Sequence, residues 1–377
     1  MKKIVLGLLL PLLLLCSGCK KNMAYDVEQG IDKEVTLFEK ELPIPLGSAG
    51  PFTLALAMEP LQKFLPTLGL PANLLSVDEN GLLLATDTSV PSEDNLYRLA
   101  QTVGDNAEPY LWKPDDKSLT PTFAAIFSFL KLEMHNQQVS VSVSTGLKDK
   151  VSFKGKLTVK CNDADYKPVY EDAVEHSSLQ LSTYGNKVQL AAFQIPEGKN
   201  ATTPAVTVSD VEISLPAHLG TRIADDGFFR YHLTHKTNLS FGPAFSMAAP
   251  TINLPLDLPL SKVGMKEVEV AIKVESTLPL DITVTDIKVP DLQDLVVVTG
   301  DAVVKGGSPE SPATSDLVLN FKTSDETHLP DLPSLSLEAT VAAAPGLNNV
   351  LLAANQGVTI KHASVTIRGG VTLFGHE

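Results

Sequence analysis

The sequence predicts a mainly β protein with a few helices: an α+β N-terminal region followed by a β-sandwich C-terminal region. Three observations predict it. After Asn136 apolar and polar residues alternate with period two in run after run, the mark of half-buried strands. The runs are short and are punctuated by proline and glycine, 26 and 24 of 377 residues, which favours packed antiparallel sheets over an alternating α/β order. The clearest helical periodicities all lie before Asn136.

The chain opens on Lys2-Lys3, then an apolar run from Ile4 to Leu15 broken only by Gly7 and Pro11. A membrane-spanning helix needs roughly 20 such residues, so this shorter run with a basic start reads as a secretory signal. Ser17 and Gly18 then precede Cys19. The stretch resembles the lipobox of bacterial lipoproteins, in which a peptidase cuts before the cysteine and lipid is joined to its thiol and amine. The resemblance implies a signal peptide at 1–18, lipid attachment at Cys19 and a tether at 19–30. Cys16 stands where the family usually has Leu, and bulky Leu15 makes it a poor acceptor. In that family an Asp after the cysteine commonly signals inner-membrane retention. Lys20 in its place implies the outer membrane, and the lack of acids in Lys20-Lys21-Asn22 leans towards its periplasmic face over the cell surface.

Residues 31–249 read as a mixed, β-rich region. Val35–Phe38 and Leu42–Leu46 look extended, since Pro43, Pro45 and Gly47 forbid helix. Leu54–Phe64 reads as a short helix limited by Pro60. Asn80-Gly81 between Leu74–Val77 and Leu82–Ala85 signals a hairpin with a type I′ turn; a calcium loop would need later ligands that are missing. Ser92 is the expected N-cap of a helix carrying Leu96, Leu99, Ala100 and Val103, with Gly104 as its stop. Thr120-Pro121 starts a second helix with a stripe of Phe123, Ile126, Phe127 and Leu130. The strands follow: Val139–Val143, Val151–Cys161 and Val206–Leu215.

A boundary is expected at Ala248-Ala249-Pro250, making 250–377 a sandwich-like domain. Its runs are Val268–Val274, Leu280–Val289, Asp316–Phe321, Leu335–Val341 and Val358–Leu373. Two of them change phase midway, Ile282/Val284 to Ile287/Val289 and Val358/Ile360 to Val365/Ile367, which predicts bulges or crossings between sheets. Leu-Pro-Leu-Asp recurs at 254 and 278, and Pro-Asp-Leu at 290 and 330, without solenoid spacing. Glu275–Val289 is similar to strands of the desiccation-protein sandwich family, although that family's usual Asn-Pro is absent. Gly306–Ser315 reads as a disordered loop.

Composition narrows the functions. Removing residues 1–18 takes away Lys2 and Lys3 and leaves 28 basic against 44 acidic side chains, a formal charge of −16. Such a chain gains nothing from the counterion release that drives nucleic-acid binding. With Cys16 removed and Cys19 lipidated, Cys161 stands alone and no internal disulfide can form. It shares a strand phase with Val151, Phe153, Leu157 and Val159, so it reads as a small buried hydrophobe rather than a nucleophile.

No catalytic or metal constellation stands out, and no cofactor is expected. His232 and His235 are three apart in a probable strand, which sends them to opposite faces. No Gly-x-Ser-x-Gly elbow, phosphate-binding loop or dinucleotide fingerprint occurs. Ser128-Phe129-Leu130-Lys131 matches Ser-x-x-Lys, but its companion elements are absent. The acid pairs Asp115/Asp116 and Asp225/Asp226 sit beside turns, where acids are common.

The expected role is a non-catalytic, lipid-anchored binding or structural protein of the envelope, with an envelope protein or a glycan as partner. A glycan-binding lipoprotein is the alternative. Its candidate residues are Trp112, the single tryptophan, and Tyr110, because sugar sites present aromatic platforms; the competing reading packs Trp112 against a helix end. A fimbrial subunit assembling by strand donation is the third reading.

Overall fold

The computed structural model describes residues 35–38, 41–68, 71–121, 131–162, 167–181, 184–198, 204–223, 227–248, 251–258, 263–290, 292, 296–299, 302–323 and 329–373. The lipobox, the tether and the helix expected from Pro121 to Leu130 lie outside the described residues. So do Asp225/Asp226.

In chain order the elements begin with β1 (Val35–Phe38), β2 (Leu42–Thr53), helix α1 (Leu54–Phe64), β3 (Leu75–Val77), β4 (Leu83–Asn95) and α2 (Leu96–Val103). Next come β5 (Tyr110–Trp112), β6 (Lys117–Leu119), β7 (Leu132–Thr145), β8 (Val151–Asn162), β9 (Pro168–Leu181) and β10 (Val188–Gln194). They are followed by β11 (Ala205–Leu215), the single turn α3 (Leu219–Arg222), β12 (Phe228–Phe241), β13 (Ser246–Ala248), β14 (Ile252–Leu258) and β15 (Val263–Ser276). The chain finishes with β16 (Leu280–Lys288), β17 (Val296–Thr299), β18 (Val303–Val304), β19 (Ala313–Thr323), β20 (Leu332–Ala343) and β21 (Gly357–Leu373). The protein is thus mainly β with few helices, as its alternation predicts.

The chain folds as two compact units. The first takes residues up to Ala72, Glu79–Leu82 and the chain from Phe241 on; the second takes Asn73–Asp78 and Leu83–Ser240. The chain crosses between them four times, at Ala72/Asn73, Asp78/Glu79, Leu82/Leu83 and Ser240/Phe241. The last crossing lies nine residues before the expected boundary at 249/250, and the first three have no counterpart in the sequence.

In the first unit one sheet runs β1-β21-β15-β19-β17, with β2 also on β21, and the other runs β13-β20-β16-β18, with β14 also on β20. The first and last described strands therefore pair with each other, Val35 opposite Leu373. Met265, Phe321 and Ile367 of the larger sheet are buried in one cluster, against which Ile287 and Leu337 of the smaller sheet pack. The predicted phase changes are bulges. The register of β16 shifts between Val284 and Asp286. That of β21 shifts where Lys273 and Val274 meet His362 and Ile360.

Helix α1 buries Leu54, Ala57 and Met58, a spacing of three and four that sets one face inward. Its first free N–H groups are satisfied from outside the helix: Leu54 N donates to Gln356 O (2.8 Å) and Ala55 N to Ala354 O (2.9 Å). The buried Gln356 side chain holds that acceptor turn, receiving Ala353 N (3.0 Å) and donating to Leu351 O (2.9 Å). The segment expected to be a disordered loop is instead a packed turn. Gly306 N donates to Asp281 Oδ1 (2.8 Å), Lys305 N to Ser315 Oγ (2.8 Å) and Gly307 N to Leu278 O (2.8 Å). Its glycines reflect close approach rather than looseness, because a Cβ on Gly307 would lie 2.3 Å from Ser276 O.

In the second unit one sheet runs β10-β7-β12-β4-β3 and the other β5-β11-β8-β9, with β6 also on β11. Val139, Val141 and Val143 of β7 and Phe229, Tyr231 and Leu233 of β12 meet Phe153, Leu157 and Val159 of β8 and Val206, Val208 and Ile213 of β11. Each such side chain contributes about 1.5–3 kcal/mol by leaving water. Cys161, 1% exposed, belongs to this cluster, and burial pushes its thiol up to about 11. Its expected place on the apolar face is the observed one.

Two local expectations are corrected. The cap of α2 is Asn95, whose Oδ1 accepts from Arg98 N (3.0 Å); Ser92 instead lies in β4 opposite Tyr231, because ladder pairing carries the strand three residues further. The hairpin at Asn80-Gly81 forms, but β3 ends at Val77 and β4 begins at Leu83. Of the two turn residues only Gly81 takes positive φ, +79°, so the connection is a longer loop and not a type I′ turn.

Candidate functional site

β12 is the strand that positions chemistry, because both of its faces are largely buried. Alternation sends Phe229, Tyr231, Leu233 and His235 to the core and Arg230, His232 and Thr234 to the outer face. The two histidines therefore do point to opposite faces, each with its own partner. On the core side His235 is fully buried, with Nε2 2.7 Å from Gln137 Oε1 of β7. Asp87 of β4 is its ladder partner. Burial pulls His235 down to about 4, although the Asp87 charge opposes this. It is a neutral, core-bound imidazole.

The outer side of β12 differs. His232 Nε2 lies 2.6 Å from Ser144 Oγ of β7. Ser144 belongs to the alternating row Ser140, Ser142, Ser144, whose intervening valines form the core. Lys187 immediately precedes Val188, the first residue of β10, which pairs with Val143, so Lys187 enters the sheet next to the end of β7 that carries Ser144. Arg230, two residues before His232 and therefore on the same face, stacks over the Phe228 ring at 3.9 Å. Its Nε donates to Glu93 of β4. Ser144, His232, Arg230 and Glu93 thus form a row across three adjacent strands, with Lys187 beside it at the entry to β10.

The electrostatics fit that placement. His232 is held below the ordinary histidine range first by burial and then by the charges of Lys187 and Arg230. Glu93 offsets Arg230, whereas Lys187 has no ion-pair partner among the described residues. The row is a locally cationic, hydroxyl-bearing face on an acidic chain. A serine hydroxyl against an imidazole is also how a nucleophile is activated, but Ser144 is only 5% exposed, which suits recognition better than acyl transfer. The row escaped sequence reading because Ser144 and His232 stand 88 residues apart. The signal that could have found it is the serine alternation beside a strand carrying Arg230 and His232 at i, i+2.

The residues singled out from sequence fall elsewhere. Tyr110 and Trp112 lie on β5 at a sheet edge, opposite the core residues Leu215 and Ile213. Trp112 contacts the Phe229 edge at 5.4 Å and 89°, packed against the core together with Leu99 and Ala100 of α2. Tyr110 is 39% exposed. Two apart on one strand, they share a face of β5, and they stand on the other sheet from the His232 row. Cys19 lies outside the described residues. Among the described residues no group of three or more His, Cys, Asp or Glu is arranged to hold a metal ion, and no helix is long and apolar enough to cross a membrane.

No protein-family model matches the chain, and no curated protein does. Among solved structures, a protein of Parabacteroides distasonis described as a "putative secreted protein" aligns over 88% of this chain and 100% of its own, at 11% identity and TM-score 0.35. T=1 particles derived from infectious bursal virus align over 74% of this chain and 44% of theirs, at 9% identity and TM-score 0.20. The PBSX exported protein XepA aligns over 74% and 86%, at 8% identity and TM-score 0.17. At such scores these likenesses carry no functional argument.

Proposed function

We propose that the protein is a lipid-anchored outer-membrane protein, facing the periplasm, with a non-catalytic binding or structural role in the cell envelope. The observation that carries this reading is the run from Lys2-Lys3 through Ile4–Leu15 to Ser17-Gly18-Cys19. A single acyl chain binds membranes only reversibly, while the two or three implied by the lipobox resemblance make a lasting anchor.

A stand-alone protein is favoured over a fimbrial subunit by the sheet edges of the second unit. Strand donation needs a long, regular, open edge. β9, at the end of its sheet, is interrupted by a bulge between His176 and Leu179. It also turns Asp172 to the core side, opposite Val159. β4 beyond Thr86 repeats the device, with a bulge at Val90-Pro91 and Asp94 on the core side opposite Phe229. Asp94 pairs there with Lys117 Nζ at 3.1 Å. Bulges and inward carboxylates both discourage an incoming strand.

The test is growth with an alkyne-tagged fatty acid, followed by capture of the tagged chain. The wild-type chain takes up the tag and fractionates with outer membranes, and Cys19→Ala loses both properties. Equal labelling of the variant, or a wild-type chain in the soluble fraction, overturns the anchor. Cross-linking in intact cells that recovers neither a protein nor a glycan overturns the binding role.

A further inference from the structure

We propose that the outer-face row Ser144, His232 and Arg230, with Lys187 beside it, is a binding site for a phosphate group carried by an envelope glycan or lipid. The proposal rests on the binding role above and is independent of the anchor. Four features converge on it. Ser144, His232 and Arg230 come from adjacent strands of one sheet, so the ladder fixes their backbone spacing before any ligand arrives and lowers the ordering cost of binding, while Lys187 adjoins the first residue of β10. Ser144 Oγ lies 2.6 Å from His232 Nε2. With the hydroxyl donating to that nitrogen, the ring carries its own proton on Nδ1. Nδ1 makes no hydrogen bond with the described residues, which leaves its N–H for a ligand oxygen.

Arg230 is held in place by Phe228 beneath it and Glu93 on its Nε. Its terminal nitrogens keep the planar fork suited to phosphate. Lys187 supplies a mobile point charge with no acid to neutralise it among the described residues. A phosphate presents several acceptor oxygens around one centre, so it can accept from all three groups together, whereas a neutral sugar would leave the Lys187 charge unanswered. The charged groups facing His232 are Lys187 on the β10 side and Arg230 on its own strand, the latter paired with Glu93 of β4; β7 contributes only the neutral Ser144. Cations on two sides disfavour the imidazolium now, and a bound dianion reverses that field.

The experiment follows the histidine ring resonances of the full chain while inorganic phosphate, glucose 6-phosphate or a soluble short-chain phosphatidic acid is added. Each ring is assigned by a His→Gln variant. Saturable shifts at His232, with its titration midpoint rising, support the site. Stronger binding of the phosphosugar assigns the phosphate to a glycan, and stronger binding of the phosphatidic acid assigns it to a lipid. Lys187→Gln should weaken binding about tenfold, the usual worth of one charged hydrogen bond. Thermal unfolding of that variant should match the wild type, because the lysine is exposed and unpaired. Absence of saturable shifts with all three probes, or undiminished binding by Lys187→Gln, overturns the proposal.

Discussion

Acidification should weaken the second unit, and chiefly through His235. Its imidazole is fully buried between Gln137 and the Asp87 position, and burial lowers it from 6.5 to about 4. In the unfolded chain the ring takes up a proton near pH 6.5; in the folded chain it does so only near pH 4. The unfolded state therefore binds more protons between these values. Stability is unaffected by this residue above about pH 7, falls as pH drops from about 6.5 towards 4, and levels off below. At pH 5 the linkage amounts to roughly 2 kcal/mol, and in full to about 3 kcal/mol. The assay is urea unfolding at pH 7.5 and pH 5 followed by Trp112 fluorescence, since the single tryptophan lies in the same unit and touches the same core. His232 is lowered too and adds a slope of the same sign, so the informative quantity is the difference from His235→Gln. The wild type should lose about 2 kcal/mol more than the variant between the two pH values. Equal losses would refute a buried neutral His235.

The remaining predictions concern packing and the thiols. Burial of Cys161, which pushes its thiol up to about 11, should leave the native mature chain without a thiol reactive to Ellman's reagent at pH 8. Denaturant should release one equivalent, and a second would mean that Cys19 carries no lipid. A Cβ on Gly357 would lie 2.2 Å from Phe52 O and 2.8 Å from Thr53 Cα. Gly357→Ala should therefore cost about 1–3 kcal/mol or more by calorimetry, and an unchanged transition would refute the close approach of β2 and β21. Trp112→Ala should cost about 2–3 kcal/mol, less than a fully buried aromatic, with Trp112→Phe recovering part of it. Unchanged stability on removal would free Trp112 for a ligand.

What the sequence made legible was local. Val139, Val141 and Val143 betray a half-buried strand because alternation survives when one face meets water. Leu54–Phe64 reads as a short helix, and the structure returns the same bounds with Leu54, Ala57 and Met58 inward at helical spacing. β12 was harder to read, since burial of both faces erases the alternation and leaves His232, His235, Thr237, Asn238 and Ser240 looking like a polar stretch. Gly306–Ser315 misled because glycine and serine serve equally for looseness and for tight approach. The pairing of Val35 with Leu373 could not be read at all, for nothing local encodes a contact between the two ends of a chain. The Ser144–His232–Arg230 row, with Lys187 beside it, was hidden for the same reason. Its members are ordinary on their own strands and acquire meaning only when the strands adjoin.

Lipid on Cys19 is tested most directly by the intact mass of the N-terminal peptide from chain purified out of outer membranes. A lipid-anchored chain yields a peptide beginning at Cys19 and carrying two or three acyl chains. A peptide that begins elsewhere, or one with an unmodified Cys19, would contradict the anchor.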